Sequence, residues 1–309
     1  MKTYIFDPIS TEALAYAQAH LDVVGWDSPE IDNYAATEAV IVRTFKMTPA
    51  IIDQMPKLKI IAKHGVGVDN IDIPYAKSKG IRVTNTPDAN MNSVAELVIG
   101  FAFNCVRRIT QSQVAVLKGL EKNSPIYLSG YELSGKTVGL IGLGKIGRSV
   151  GTKLRDAFSM NVIVYDPFAT TEQCNSIGFA KTENLDELCS KGDIISISVP
   201  LTAETKNMIA SHELSLMKET AVLINTSRGG IVNEDDLYVA LKNHKLFGAA
   251  LDVFVQEPVP QTHPLLTCDN FVATPHNGAN TTDALIRMGV GAVDEIIRLK
   301  NGEAPLSKL

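Results

Sequence analysis

The chain has 309 residues, 45% of them hydrophobic and 20% charged, enough for two packed domains of an ordinary globular protein and free of any disordered or fibrous bias. A net charge of −5, with Lys and Arg scattered along the sequence, argues against nucleic acid as a partner. The apolar run from Met1 to Phe6 meets Asp7-Pro8 too soon for a secretory leader, and no stretch approaches the roughly 18 apolar residues of a membrane span.

Five short apolar runs of β type, Thr3–Phe6, Val23–Trp26, Ala39–Val42, Lys59–Ala62 and Ile81–Thr84, alternate with helical stretches. Such alternation predicts a parallel sheet with crossover helices. From about Asn92 a segment of helical periodicity, Val94 through Leu117, reads as one long helix crossing between domains. A polar, Pro-containing loop follows at Asn123–Gly135. A second series, Thr137–Ile141, Asn161–Tyr165, Ile194–Ser198, Ala221–Asn225, Gly248–Leu251 and Phe271–Ala273, has helical patterns between most of its members. Six such strands match a doubly wound dinucleotide-binding sheet. The last helical stretch, Thr281–Lys300, is expected to return to the first domain. The chain therefore reads as α/β, with a nucleotide-binding domain at 97–281 inserted in a smaller domain formed by 1–96 and 282–309. Cys105, Cys174, Cys189 and Cys268 lie far apart, with no CxxC pair and no His at metal-ligand spacing. They read as reduced thiols of a cytoplasmic protein, and no metal site is expected.

Val138-Gly139-Leu140-Ile141 is a buried-strand run, followed by Gly142-Leu143-Gly144-Lys145-Ile146-Gly147 and a helical stretch from Arg148. In that context GxGxxG has a physical meaning. The first glycine permits the tight turn, the second lets backbone approach a pyrophosphate, and the third lets helix and strand pack closely. Helix N-terminal amides, in the Lys145-Ile146 turn, then face the phosphates. Such a glycine turn also serves plain strand-to-helix connections, but Asp166 strengthens the reading. It falls 19 residues after Gly147, at the end of the next strand, where a carboxylate can accept hydrogen bonds from the adenosine ribose. A 2′-phosphate beside Asp166 would meet like-charge repulsion, and Pro167 and Phe168 offer no cation, so NAD is expected over NADP.

Three further segments end predicted strands of the second domain: Asn225-Thr226-Ser227-Arg228-Gly229-Gly230, Leu251-Asp252-Val253-Phe254-Val255-Gln256-Glu257-Pro258 and Thr274-Pro275-His276-Asn277-Gly278-Ala279. With Lys63-His64-Gly65-Val66-Gly67-Val68-Asp69-Asn70 and Asn92-Ser93-Val94-Ala95-Glu96, they resemble the D-2-hydroxyacid dehydrogenases over nearly the whole chain. That family includes phosphoglycerate dehydrogenases and glyoxylate or hydroxypyruvate reductases. The resemblance implies two doubly wound parallel-sheet domains, a Rossmann NAD-binding domain inserted in a smaller flavodoxin-like substrate domain. It also implies hydride transfer between NAD(H) and C2 of a small D-2-hydroxy or 2-keto acid, and a homodimer built on the nucleotide domain.

Reducing a 2-keto acid requires a cation near its carboxylate and carbonyl, a proton donor for the developing alkoxide, and a nicotinamide held against C2. Arg228 offers a forked, always-charged donor, and His276 an imidazole able to give up and recover a proton near neutrality. Glu257 would orient the ring and favour imidazolium. The family's catalytic roles fall on the same three residues. Each has a plainer alternative, a surface charge for Arg228 or Glu257 and a loop cap for His276. His263, in Thr262-His263-Pro264-Leu265, is a competing imidazole, but it precedes a strand instead of ending one. His64, beside the presumed substrate loop, either touches substrate or simply packs.

Gly65-Val66-Gly67 would let backbone N–H groups approach a carboxylate, and the family uses this loop for the substrate carboxylate. Asp252 resembles the family residue that holds the nicotinamide carboxamide, and Val199 and Thr226 fall where the family lines the cofactor cleft. Arg43 and Lys63 resemble cations that phosphoglycerate dehydrogenases place near a substrate phosphate. A phosphoglycerate dehydrogenase-like activity is therefore expected, with glyoxylate or hydroxypyruvate reductase as the alternative. Asn277 departs from the aliphatic residue that many relatives carry after the His, which leaves the substrate more open than the reaction. The chain ends soon after the predicted return helix, so the C-terminal regulatory domain of longer phosphoglycerate dehydrogenases is not expected. A rival of another class is an NAD-sensing corepressor-like scaffold, which shares this fold and much of the motif set. Formate dehydrogenase is disfavoured, because its His partner is a Gln where this chain has Glu257.

Overall fold

A computed structural model describes residues 1–29, 33–119, 128–307 and 309. The chain divides into two compact units, Met1–Ser93 with Ala279–Leu309, and Val94–Gly278. The sequence reading put both crossings three residues later.

In the first unit the described residues form five parallel strands: β1 (Lys2–Ile5), β2 (Asp22–Val24), β3 (Ala39–Val42), β4 (Ile60–Lys63) and β5 (Arg82–Thr84). Their order is β2-β1-β3-β4-β5, the doubly wound flavodoxin-type order, which reverses between β1 and β3. Strands covered on both faces read as continuous apolar runs, and alternate residues here feed two cores. Ile5, Ile41, Ile60 and Ala62 pack with Ala292, Val293 and Ile296 of the helix Thr282–Lys300. Tyr4, Val40, Val42 and Ile61 pack with Ile52, Met55 and Ala76 on the other side.

The second unit carries β6 (Thr137–Ile141), β7 (Asn161–Tyr165), β8 (Ala180–Thr182), β9 (Ile194–Ile197), β10 (Val222–Asn225), β11 (Gly248–Leu251) and β12 (Phe271–Ala273). All pair in parallel in the order β12-β11-β10-β9-β6-β7-β8, the Rossmann order with one strand added, reversing between β6 and β9. The sequence predicted six strands here and missed β8. That strand is Ala-Lys-Thr at the sheet edge, too short and too polar to leave an apolar run. Leu140, Ile194, Val222 and Ile224 fill one face of this sheet, and Ile141, Ile195, Ile197 and Leu223 the other.

The long helix predicted from Val94 to Leu117 is two helices, Met91–Val106 and Ile109–Leu117. Arg108 takes a left-handed φ of 50° between them. The Asn104 side chain accepts from the Thr110 N–H and hydroxyl, and the Tyr131 N–H takes the Val106 carbonyl. Helical periodicity continues across the break, so the pattern alone could not show it. Of the loop predicted at 123–135, residues 123–127 lie outside the described residues. Among the described residues, no helix is long and apolar enough to cross a membrane.

Candidate active site

Parallel strands deliver all their carboxyl ends to one edge, where ligands bind such sheets. The second-unit residues assigned from the sequence to cofactor and catalysis fall at that edge. Gly142 to Gly147 follow β6, Asp166 follows β7, Val199 follows β9, Thr226 and Arg228 follow β10, Asp252 and Glu257 follow β11, and His276 follows β12.

At the turn after β6, Gly142 has φ +96°, where a side chain would be strained. An added Cβ there would also press on the Ser198 carbonyl at 2.7 Å and on Val199 Cγ1 at 2.8 Å, so Val199 sits against the turn. On Gly147 a Cβ would overlap the Gly142 carbonyl oxygen, because the helix Lys145–Phe158 begins directly on the turn. Gly144, the N-cap of that helix, is different: a Cβ there would meet nothing within 4 Å. The first helical turn carries no acidic side chain, so the helix dipole favours an anion there. Asp166 accepts the Leu143 N–H at 2.7 Å on Oδ2 and the Phe168 N–H at 2.8 Å on Oδ1. Each carboxylate oxygen has a second acceptor position, so ribose hydroxyls remain admissible. Open space at Gly144, a helix N-terminus with no acidic side chain in its first turn and a carboxylate on the neighbouring strand fit the pyrophosphate and ribose of a dinucleotide.

His276 Nδ1 donates to Glu257 Oε2 at 2.8 Å, and the imidazole remains 50% exposed. Its backbone φ of 54° lies in the left-handed region, a strain that surrounding bonds must hold. Asp252 supplies them. Its carbonyl accepts the His276 N–H at 2.8 Å, and its carboxylate accepts the Asn277 N–H at 2.6 Å, the Gly278 N–H at 2.7 Å and the Thr274 hydroxyl. Asp252 is 1% exposed, and burial raises its pKa from the ordinary value against the pull of those hydrogen bonds. Sequence reasoning missed this structural role, because no local spacing links Asp252 to residues 274–278.

Glu257 Oε1 accepts the Phe254 N–H at 3.0 Å. The turn after β10 is closed by Asn225, which accepts from the Ser227 N–H and hydroxyl and donates to the Arg228 carbonyl. Arg228 is half-buried, and its Nη1 donates to the Ser227 carbonyl at 2.7 Å. A Cβ on Gly229 would overlap the Phe254 carbonyl, so the arginine turn and the loop bearing Glu257 lie backbone to backbone. Thr226 is half-buried in the same turn.

In the first unit, Lys63 ends β4 and Arg43 follows β3. Lys63 is 8% exposed, and its ammonium donates to the Arg43 carbonyl at 2.5 Å and to Asn70 Oδ1 at 2.6 Å. The Arg43 guanidinium reaches Asn280 Oδ1 at 3.3 Å. Gly65 has φ +128° and donates its N–H to Thr86 Oγ1 at 3.1 Å, while Val66 and Gly67 are partly exposed. His64 is buried, its ring nitrogens have no hydrogen-bond partner among the described residues, and burial followed by the Arg43 charge lowers its pKa to about 4. The four cysteines are buried and unbonded. Asp186, His212 and Glu213 bring ligand atoms within 4.8 Å of one another, in the first turns of two surface helices whose N-terminal dipoles oppose a cation.

Fold and site together define a dinucleotide-binding α/β protein with an imidazole–carboxylate pair and an arginine at the carboxyl edge of its sheet. The family described as D-isomer specific 2-hydroxyacid dehydrogenase, NAD binding domain, matches residues 99–278. The chain is 39% identical to a D-3-phosphoglycerate dehydrogenase of Methanocaldococcus jannaschii over 98% of its own length, and spans only 58% of that relative. It is also 39% identical to a hydroxypyruvate reductase of Thermotoga maritima, covering 96% of this chain and 97% of the other. Among solved structures, the D-lactate dehydrogenase of Aquifex aeolicus, complexed with NAD and lactic acid, superposes with a TM-score of 0.84 at 31% identity, over 98% of this chain and 96% of that one. The chain belongs to the D-isomer specific 2-hydroxyacid dehydrogenase family.

Proposed function

We propose that the chain is an NAD-dependent D-2-hydroxyacid dehydrogenase, interconverting a small 2-keto acid and its D-2-hydroxy acid. The observation that carries this reading is the Glu257–His276 pair, a half-exposed imidazole fixed through Nδ1 on a strained loop at the carboxyl edge. A bound nicotinamide dinucleotide supplies or receives the hydride at C2. His276 gives a proton from Nε2 to the C2 oxygen in reduction and takes it back in oxidation. Glu257 orients the ring and balances the imidazolium charge. Arg228 holds the substrate carboxylate and carbonyl oxygens with its forked donors. Since the Gly65 N–H is bonded to Thr86, the N–H groups of Val66 and Gly67 are assigned to the substrate carboxylate. Gly142 to Gly147 take the pyrophosphate, Asp166 takes the ribose and disfavours a 2′-phosphate, and Val199, Thr226 and Asp252 line the nicotinamide side.

The relatives' names do not separate a phosphorylated from an unphosphorylated substrate, since a phosphoglycerate dehydrogenase and a hydroxypyruvate reductase are equally similar. The Lys63 ammonium is already engaged by two oxygens of its own unit. That engagement favours the second reading, a glyoxylate or hydroxypyruvate reductase. The proposal extends to a cytoplasmic homodimer. Buried, unbonded cysteines suit a reducing compartment, and exposed Ile109, Val116 and Leu117 on the helix Ile109–Leu117 suit a second copy of the chain.

NADH absorbance followed with a panel of 2-keto acids and phosphohydroxypyruvate tests the activity. At least one 2-keto acid is expected to turn over, and His276→Asn is expected to lower kcat roughly 10²–10⁴-fold with NADH binding retained. NADH binding without turnover of any of these acids would favour the sensing scaffold.

A further inference from the structure

His263 takes no part in the chemistry above, yet its Nε2 lies 3.0 Å from Glu234 Oε2, and both side chains are only 14% exposed. Glu234 opens the helix Glu234–Lys242, and its other oxygen accepts the Val255 N–H at 2.7 Å. One carboxylate thus grips both ends of the segment 255–263, within which Glu257 lies. The His263 ring packs edge-on against Phe254 at 5.5 Å, and Phe254 packs in turn on Phe271. The Phe254 N–H then holds one oxygen of Glu257, whose other oxygen holds His276.

Residues 255–258 are exposed and irregular, so no helix or sheet ladder fixes the Glu257 carboxylate. A mostly buried acid–imidazole contact adds little net stability over an apolar pair of the same shape, but it imposes one geometry on what it joins. We propose that Glu234 and His263 form a clamp that positions Glu257, and through it His276. Both are positioning residues, and the inference rests on the acid–base reading of Glu257 and His276.

The test uses the purified full chain with NADH and whichever 2-keto acid the parent reduces. Glu234→Ala is expected to lower kcat about 10- to 100-fold, the scale of a misplaced catalytic group, while KM for NADH changes less than about twofold. Glu234→Gln, which still accepts from Val255 and hydrogen-bonds the ring, recovers most of that loss. His263→Phe keeps the packing on Phe254 without Nε2, lowers kcat in the same sense, and serves where Glu234→Ala fails to fold. In a Glu257→Ala background, Glu234→Ala should cost less than about twofold further, because the group it positions is gone. Losses that multiply in the double variant, or folded single variants with parental kcat, overturn the clamp alone. A parent that binds NADH but reduces no 2-keto acid overturns the acid–base reading and the clamp with it.

Discussion

Asp252 shows how much one buried side chain can organise. Its carboxylate accepts from Thr274, Asn277 and Gly278 and so holds His276 in a backbone conformation it would not adopt alone. Asp252→Asn keeps the shape but turns an acceptor into a donor facing those N–H groups. It is expected to destabilise the protein by about 1–3 kcal/mol and to lower kcat, as read by urea unfolding and NADH turnover. Parental values of both would mean that the loop is held by other bonds. His64 presents the opposite case, a buried imidazole with no hydrogen-bond partner among the described residues and a pKa lowered from 6.5 to about 4. Above 6.5 the folded and unfolded forms are both neutral. Between 6.5 and 4 the unfolded chain binds a proton that the folded chain excludes, so stability falls as pH drops through that window, by on the order of 3 kcal/mol at most. Urea midpoints of the parent and of His64→Leu, measured from pH 6.5 down to 4, should diverge in slope, the variant's being flatter. Parallel curves would remove His64 as the cause.

Two glycines of one turn do different work. Gly147 admits the helix Lys145–Phe158 onto the Gly142 carbonyl, whereas Gly144 faces open space at the head of that helix. Gly147→Ala should therefore cost stability, roughly 1–3 kcal/mol for an overpacked contact, together with NADH affinity. Gly144→Ala should leave the unfolding midpoint near the parent's and still weaken NADH binding, because its methyl group would occupy the space assigned to phosphate. Equal stability losses in both, or undiminished NADH affinity in Gly144→Ala, would contradict the cradle; fluorescence titration and urea unfolding read the two effects separately. Elements of this kind are legible in sequence because strand, glycine turn, helix and the acid after the next strand are set by local composition and spacing. The edge strand β8 and the break at Arg108 were not. A three-residue strand of mixed polarity has no signature, and the helix breaks between Val106 and Ile109, where Asn104 and Tyr131 supply competing partners.

For the molecule as a whole, a variant of Lys63 tests the choice between a phosphorylated and an unphosphorylated substrate. If its ammonium only ties the first unit together, Lys63→Ala should lower kcat/KM for hydroxypyruvate and phosphohydroxypyruvate by similar factors. A selective loss of about 1.5–3 kcal/mol for the phosphorylated acid, the scale of a hydrogen bond to a charged group, would restore the phosphate reading. The sequence by itself determined the α/β class, the order of elements around the glycine turn and the family resemblance, since each rests on short-range patterns of apolar and turn residues. Only the tertiary structure decided which charged groups meet. Arg228, Glu257 and His276 stand far apart in the chain and come to one edge because β10, β11 and β12 are parallel neighbours. Burial and pairing are long-range properties, and only they show the Lys63 ammonium bonded to the Arg43 carbonyl and Asn70, the His64 ring buried, and His263, a competing imidazole in the sequence, beside Glu234.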